Sequence, residues 1–235
     1  MLHHDYRGNT TQRQSAGRFG IPIILLLLCA WLSPARSAAA AGAEQFIIQT
    51  EQSVLTIRVE RAGLLSSFGH DHLISSHAIS GTLTLAVPPN QSTAQLIIPV
   101  QQLAVDDPVE LKDAGFRSIP DAQARTGTRD NMLRAEVLDG GNWPQVIVDV
   151  THTGEITGTH QINLTLRFKG MTIPLQLPAT VTRGNTGVQI DSQFSLDHRQ
   201  LGLRPFSALG GAIRVAEALE FELHLLAVAT GEMDE

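Results

Sequence analysis

The residues best equipped for chemistry are at 69–77, Gly-His-Asp-His-Leu-Ile-Ser-Ser-His, where three imidazoles and a carboxylate fall within eight positions. In extended backbone successive side chains point to opposite faces, so His70 and His72 share one side and Asp71 takes the other. Two imidazoles so spaced supply half of a zinc or copper site, and the remaining ligands must come from other elements. His77 falls on the opposite face unless Ser75-Ser76 turns the chain, and His198 is a remote candidate partner. Two other readings compete with a metal pair. The preferred one is structural, with histidines at the mouth of a fold hydrogen-bonded to carboxylate or backbone. The other is a polar clamp on a ligand head group such as a quinone or a phosphate.

Ser66, Ser67, His70, His72 and Asp71 are also residue types used in acyl transfer. No Gly-x-Ser-x-Gly elbow is present, and neighbours along one strand cannot form a nucleophile, base and orienter array. The chain is therefore read as a non-enzyme with no catalytic residue, and metal binding by His70 and His72 stands as the alternative function.

The elements that position these residues are strands. Apolar residues recur at every second position: Leu55, Ile57, Val59; Leu83, Leu85, Val87; Val146, Val148, Val150; Leu164, Leu166, Phe168; Ile173, Leu175, Leu177; Val188, Ile190; and Leu219, Phe221, Leu223, Leu225. That period marks strands with one buried face, about eight or nine of them, and predicts an all-β antiparallel barrel or sandwich. Turn-forming residues separate the runs, at Pro88-Pro89-Asn90, Gly140-Gly141-Asn142, Lys169-Gly170 and Arg183-Gly184-Asn185. Residues 108–138 break the pattern and predict one or two short helices near one end of the sheet. Within them Thr128 is the expected cap of a helix that carries an Asp130–Arg134 pair, with Leu133 and Val137 facing the sheet. Trp143-Pro144 is expected to open a strand.

Residues 1–43 read as a secretory leader. Arg13 and Arg18 precede an apolar run from Ile21 to Leu32, too short to cross a bilayer as a helix, and small residues follow it. The single cysteine, Cys29, falls in that run behind a bulky Leu28, so neither a lipid anchor nor a disulfide is expected in the domain at 44–230. The leader holds four Arg against one Asp, a net +3 that leaves −9 for the rest of a chain whose total is −6. An acidic domain without basic runs is a poor partner for nucleic acid and, by charge, for anionic lipid heads, and no stable membrane anchor is expected after cleavage. A periplasmic or secreted protein is the expectation.

Several strings resemble, in order, those of the YceI-like family: "SVLTIRVERAGLL" (53–65), "ISGTLTL" (79–85), "TRDNMLRAEVLDGGNWPQVIVDV" (128–150), "INLTLRFKGMTIPLQL" (162–177), "FSLDHRQLGL" (194–203) and "ALEFELHLLA" (218–227). The resemblance implies a lipocalin-like antiparallel barrel of about eight strands, with one or two short helices near one end and an apolar tunnel that holds a polyisoprenoid chain. By that implication the partner is a hydrophobic lipid such as an isoprenoid, a quinone or a fatty-acid-like molecule. With only 5% aromatic residues, the chain has few large groups to plug a barrel. Candidates for the tunnel lining or rim are Leu55, Ile57, Val59, Phe68, His70, His72, Leu83, Leu133, Trp143, Phe168, Phe194 and Phe221. Where many members carry a Gly-x-Phe turn, this chain has Ser67-Phe68-Gly69-His70-Asp71-His72. Arg129-Asp130 matches an Arg-Asp pair of the family, read as a structural ion pair fixing the helix.

Overall fold

The structure, a computed structural model, describes residues 43–152 and 157–230. The leader, with Cys29, lies outside the described residues but for Ala43. Twelve strand segments are present among the described residues: β1 (Glu44–Ile48), β2 (Val54–Ala62), β3 (His72–Ser76), β4 (Ser80–Leu85), β5 (Thr93–Pro99), β6 (Ala104–Val105), β7 (Gln145–His152), β8 (Gly158–Phe168), β9 (Met171–Arg183), β10 (Gly187–Asp197), β11 (Ser207–Ala208) and β12 (Ile213–Ala229).

Their pairings are all antiparallel and close a ring of eight, in the order β1-β4-β5-β7-β8-β9-β10-β12, with β12 returning to β1. The expected barrel of about eight strands is therefore the observed one. The larger number of segments arises because the first three strands are interrupted. β1 and β2 lie end to end along one edge of β12, which pairs Phe46 with Ala229 and Ile57 with Phe221. β3 and β4 follow β2 and β1 in the same way, as β6 and β5 follow β3 and β4.

The alternating pattern sets the inward layer. Val59, Leu219 and Leu196 sit side by side across β2, β12 and β10, as do Ile57, Phe221 and Phe194 in the next layer. The positions between them face outward and are polar, among them Thr56, Gln193, Glu220 and Glu222. Lys169 and Gly170, both at positive φ, make the two-residue turn between β8 and β9 that matches the right-handed twist of the hairpin. At Gly81 the backbone adopts φ +152°, and a Cβ there would sit 2.0 Å from the Gln95 carbonyl oxygen of β5. Only glycine lets those two strands approach so closely.

Two helices fill the β6–β7 connection: α1 (Pro108–Asp113) and α2 (Ala122–Leu133). The Asp107 carboxylate caps α1, accepting from the Val109 and Glu110 amides, and Asp121 caps α2 through the Ala124 amide. Thr128 is thus not a cap. It lies mid-helix and donates to the Ala124 carbonyl. Because α2 stops at Leu133 and Arg134 turns extended, Val137 leaves the helical face, and Asp130 and Arg134 form no ion pair among the described residues. Pro144 precedes β7 as expected, its carbonyl accepting from the Val100 amide.

Candidate functional site: an apolar tunnel open at the helix end

The inward side chains enclose a cavity of about 830 Å³. Its chemistry changes along the barrel axis. At the end away from α2 it is bounded by aliphatic groups such as Ile48, Leu85, Val181 and Leu225, and this end is shut: Phe46, Ile48, Leu85, Val188 and Ala227 are all buried. The middle is walled by Leu, Ile and Val from every strand of the ring, with a parallel stack of Phe194 on Phe221 at 4.9 Å between centroids. At the α2 end the wall turns polar, with Arg61, His70, His72, Thr128, Asn131, Arg134, Glu136, His198, Arg204 and Arg214.

Nine of the twelve sequence candidates border this cavity: Leu55, Ile57, Val59, His70, His72, Leu83, Phe168, Phe194 and Phe221. Three do not. Phe68 lies in a single 3-10 turn (Ser66–Phe68) before β3 and points to solvent, because the chain leaves the β2 pleat at Gly63. Trp143 is 42% exposed and lies outside the barrel, its ring so close to Gly170 that a Cβ there would stand 2.9 Å away. Leu133 packs into the core beside Gly140 rather than along the tunnel. The helix begins seven residues earlier than Thr128 would set it, and the face it turns to the cavity carries Thr128, Asn131 and Met132. Reading Pro120-Asp121 as the cap signal would have found Met132. No sequence signal collects the four arginines, which come from separate segments.

The histidine-rich stretch resolves into separate hydrogen-bonded groups. Nδ1 of His72 lies 2.7 Å from Oδ2 of Asp106, a carboxylate with no exposed surface. Oδ1 of Asp106 accepts from the Leu73 amide, and the Asp106 amide donates to the Leu73 carbonyl, so the carboxylate locks β3 to the end of β6. Asp71, just before β3, bonds to neither imidazole among the described residues and accepts from the Arg61 amide at 2.9 Å. His77 stands outside the tunnel, 2.6 Å from Glu110 of α1, which also accepts from Ser75. His198 is buried in the tunnel wall, with Nδ1 2.8 Å from the Glu217 carbonyl. A carbonyl can only accept, so in the neutral ring the proton sits on Nδ1.

His70, His72 and His198 thus border one cavity, while His77 does not join them. Among the described residues no three His, Cys, Asp or Glu side chains are grouped to hold a metal ion. Ser66 and Ser67 hydrogen-bond to no histidine among the described residues. Arg61 is shared between the Gly69 carbonyl and Asp71, whereas Arg134, Arg204 and Arg214 have no acidic partner among the described residues. An apolar interior with cationic and imidazole groups at one end suits an amphiphile lying head outward.

The model of the YceI-like domain matches residues 46–227, nearly the whole described chain. BcnA of Burkholderia cenocepacia is similar in structure, with a TM-score of 0.55 at 14% identity over 77% of this chain and 99% of that one. A polyisoprenoid binding domain from Saccharophagus degradans, implicated in plant cell wall breakdown, matches with a TM-score of 0.52 at 11% identity, covering 78% of this chain and 98% of that one. No curated protein matches the sequence significantly.

Proposed function

Because the chain belongs to the YceI-like domain family, we propose that it is a non-enzymatic carrier or store for an isoprenoid or related amphiphilic lipid, working in the periplasm or outside the cell. The observation that carries this reading is the graded cavity: a closed aliphatic end, an aliphatic and phenylalanine middle, and an arginine- and histidine-bearing mouth. A polyisoprenoid binding domain of the same fold gives it further support, as does the leader pattern of residues 1–43.

The energetics follow from the lining. Each methylene taken from water contributes about 0.8 kcal/mol, so roughly ten of them outweigh the ordering cost of one flexible chain. Such binding selects length and apolarity, not sequence of functional groups. Selectivity for the head comes from Arg134, Arg204, Arg214 and the exposed His70, which suit an oxygen-rich or anionic terminus.

Native mass spectrometry of the protein purified without detergent is the direct test. A co-bound lipid, or stoichiometric uptake of an added prenyl or acyl chain, is expected. An empty barrel that refuses both would overturn the proposal.

A further inference from the structure

Five of the nine exposed large apolar residues among the described residues gather on two adjoining loops at the tunnel mouth: Leu64 (97% exposed), Leu65 and Phe68 after β2, and Phe206 and Leu209 between β10 and β12. The loops are held together. The Leu65 amide donates to the Ala212 carbonyl, and Gly63, at φ +99°, lies so near that a Cβ there would stand 2.4 Å from the same oxygen. The second loop is braced in turn by β11 pairing with β12 and by the Val215 amide on the Phe206 carbonyl. These side chains are therefore displayed on one tied platform.

Two features identify what the platform meets. Arg204 and Arg214 stand exposed beside it without an acidic partner among the described residues, in a chain whose net charge is −9 with the leader removed. Phe206 belongs both to the platform and to the tunnel wall. Apolar side chains that reach below the head groups, flanked by arginines at head-group level, make the anchoring pattern of an interfacial protein. Phe206 thus links that anchor to the tunnel wall, beside the polar groups of the mouth.

We propose that this rim docks the barrel, mouth down, on an anionic lipid bilayer, so that a lipid passes between membrane and tunnel without crossing water. The inference rests on the lipid-holding reading above, and its test separates the two. The mature chain is floated with vesicles of phosphatidylcholine alone and with vesicles of equimolar phosphatidylcholine and phosphatidylglycerol, while tunnel occupancy is read independently by native mass spectrometry.

Partition onto the anionic vesicles is expected, weaker on phosphatidylcholine and weakened by salt. Leu64→Ser/Phe68→Ser/Leu209→Ser, which changes no residue of the tunnel wall, is expected to reduce partition about tenfold or more with occupancy and urea midpoint unchanged. Val87→Ser, an exposed apolar residue at the opposite end, is expected to leave partition as it was. Absence of vesicle binding by the wild-type chain, or equal binding by the triple variant, would overturn docking even with a lipid in the tunnel. Equal partition onto the two vesicle types would overturn the anionic preference. An empty tunnel in protein that still partitions would instead remove the lipid-holding reading on which docking depends.

Discussion

Asp106 concentrates more structural consequence than any other polar residue of the barrel. Its buried carboxylate takes the Leu73 amide and faces His72, and its own backbone sits at φ +54°. Asp106→Ala leaves a buried amide unpaired and removes the partner of His72, so a loss of about 2–3 kcal/mol is expected in urea unfolding. Because Asp106 occupies Nδ1 of His72 and no group of three metal-ligating side chains forms among the described residues, zinc and copper contents of wild type and of His70→Ala/His72→Ala are expected to be equal and near zero by elemental analysis. On the outer face, the hydrogen bond from His224 holds the Asp191 carboxyl below the usual carboxylate range, with Gln189 assisting and burial opposing. The folded value therefore lies below the unfolded one, near 3.9. Its contribution is complete above that pH and is lost as pH falls through the lower folded value. Both side chains are over 40% exposed, so the effect stays under about 1 kcal/mol. Asp191→Asn should lower the urea midpoint slightly at pH 7 and by less at pH 3; an equal shift at both would contradict the assignment.

At the scale of elements, the interrupted strands and α2 determine the shape of the mouth. Gly81→Ala would drive a Cβ into the Gln95 carbonyl, and a loss above about 2 kcal/mol is expected, with β4 and β5 forced apart. An unchanged urea midpoint for that variant would show that the pair is free to separate without cost. Helix α2 is tied across the mouth by Arg129, whose Nη2 donates to the Gln101 carbonyl at 2.6 Å. The sequence pattern implies that Arg129-Asp130 supplies an ion pair that fixes the helix on the barrel. The structure instead gives Arg129 a carbonyl, because the turn between β5 and β6 presents its backbone oxygen to the guanidinium. Arg129→Ala is expected to cost about 1 kcal/mol.

For the whole molecule, the closed ring of eight strands leaves a space that its Leu, Ile and Val lining does not fill. Val148→Phe/Ile190→Phe places two rings in that space. Lipid occupancy by native mass spectrometry is expected to fall, while the urea midpoint of the lipid-free protein holds or rises, as when a cavity is filled. A collapse of stability would mean that the tunnel is narrower than it stands here. Period-2 alternation located most of the long strands and the faces they turn inward, and so Leu55, Ile57, Val59 and Phe221 follow from the sequence pattern. Alternation fixes the side of a strand but not height along a barrel, and it ends where the pleat ends. Only the tertiary structure could therefore put Phe68 and Trp143 outside the tunnel, seat Met132 in place of Leu133, and close one end of the cavity. The gathering of Arg61, Arg134, Arg204 and Arg214 at the other end depends on strand pairings between residues up to about 150 apart, an arrangement that no local pattern encodes.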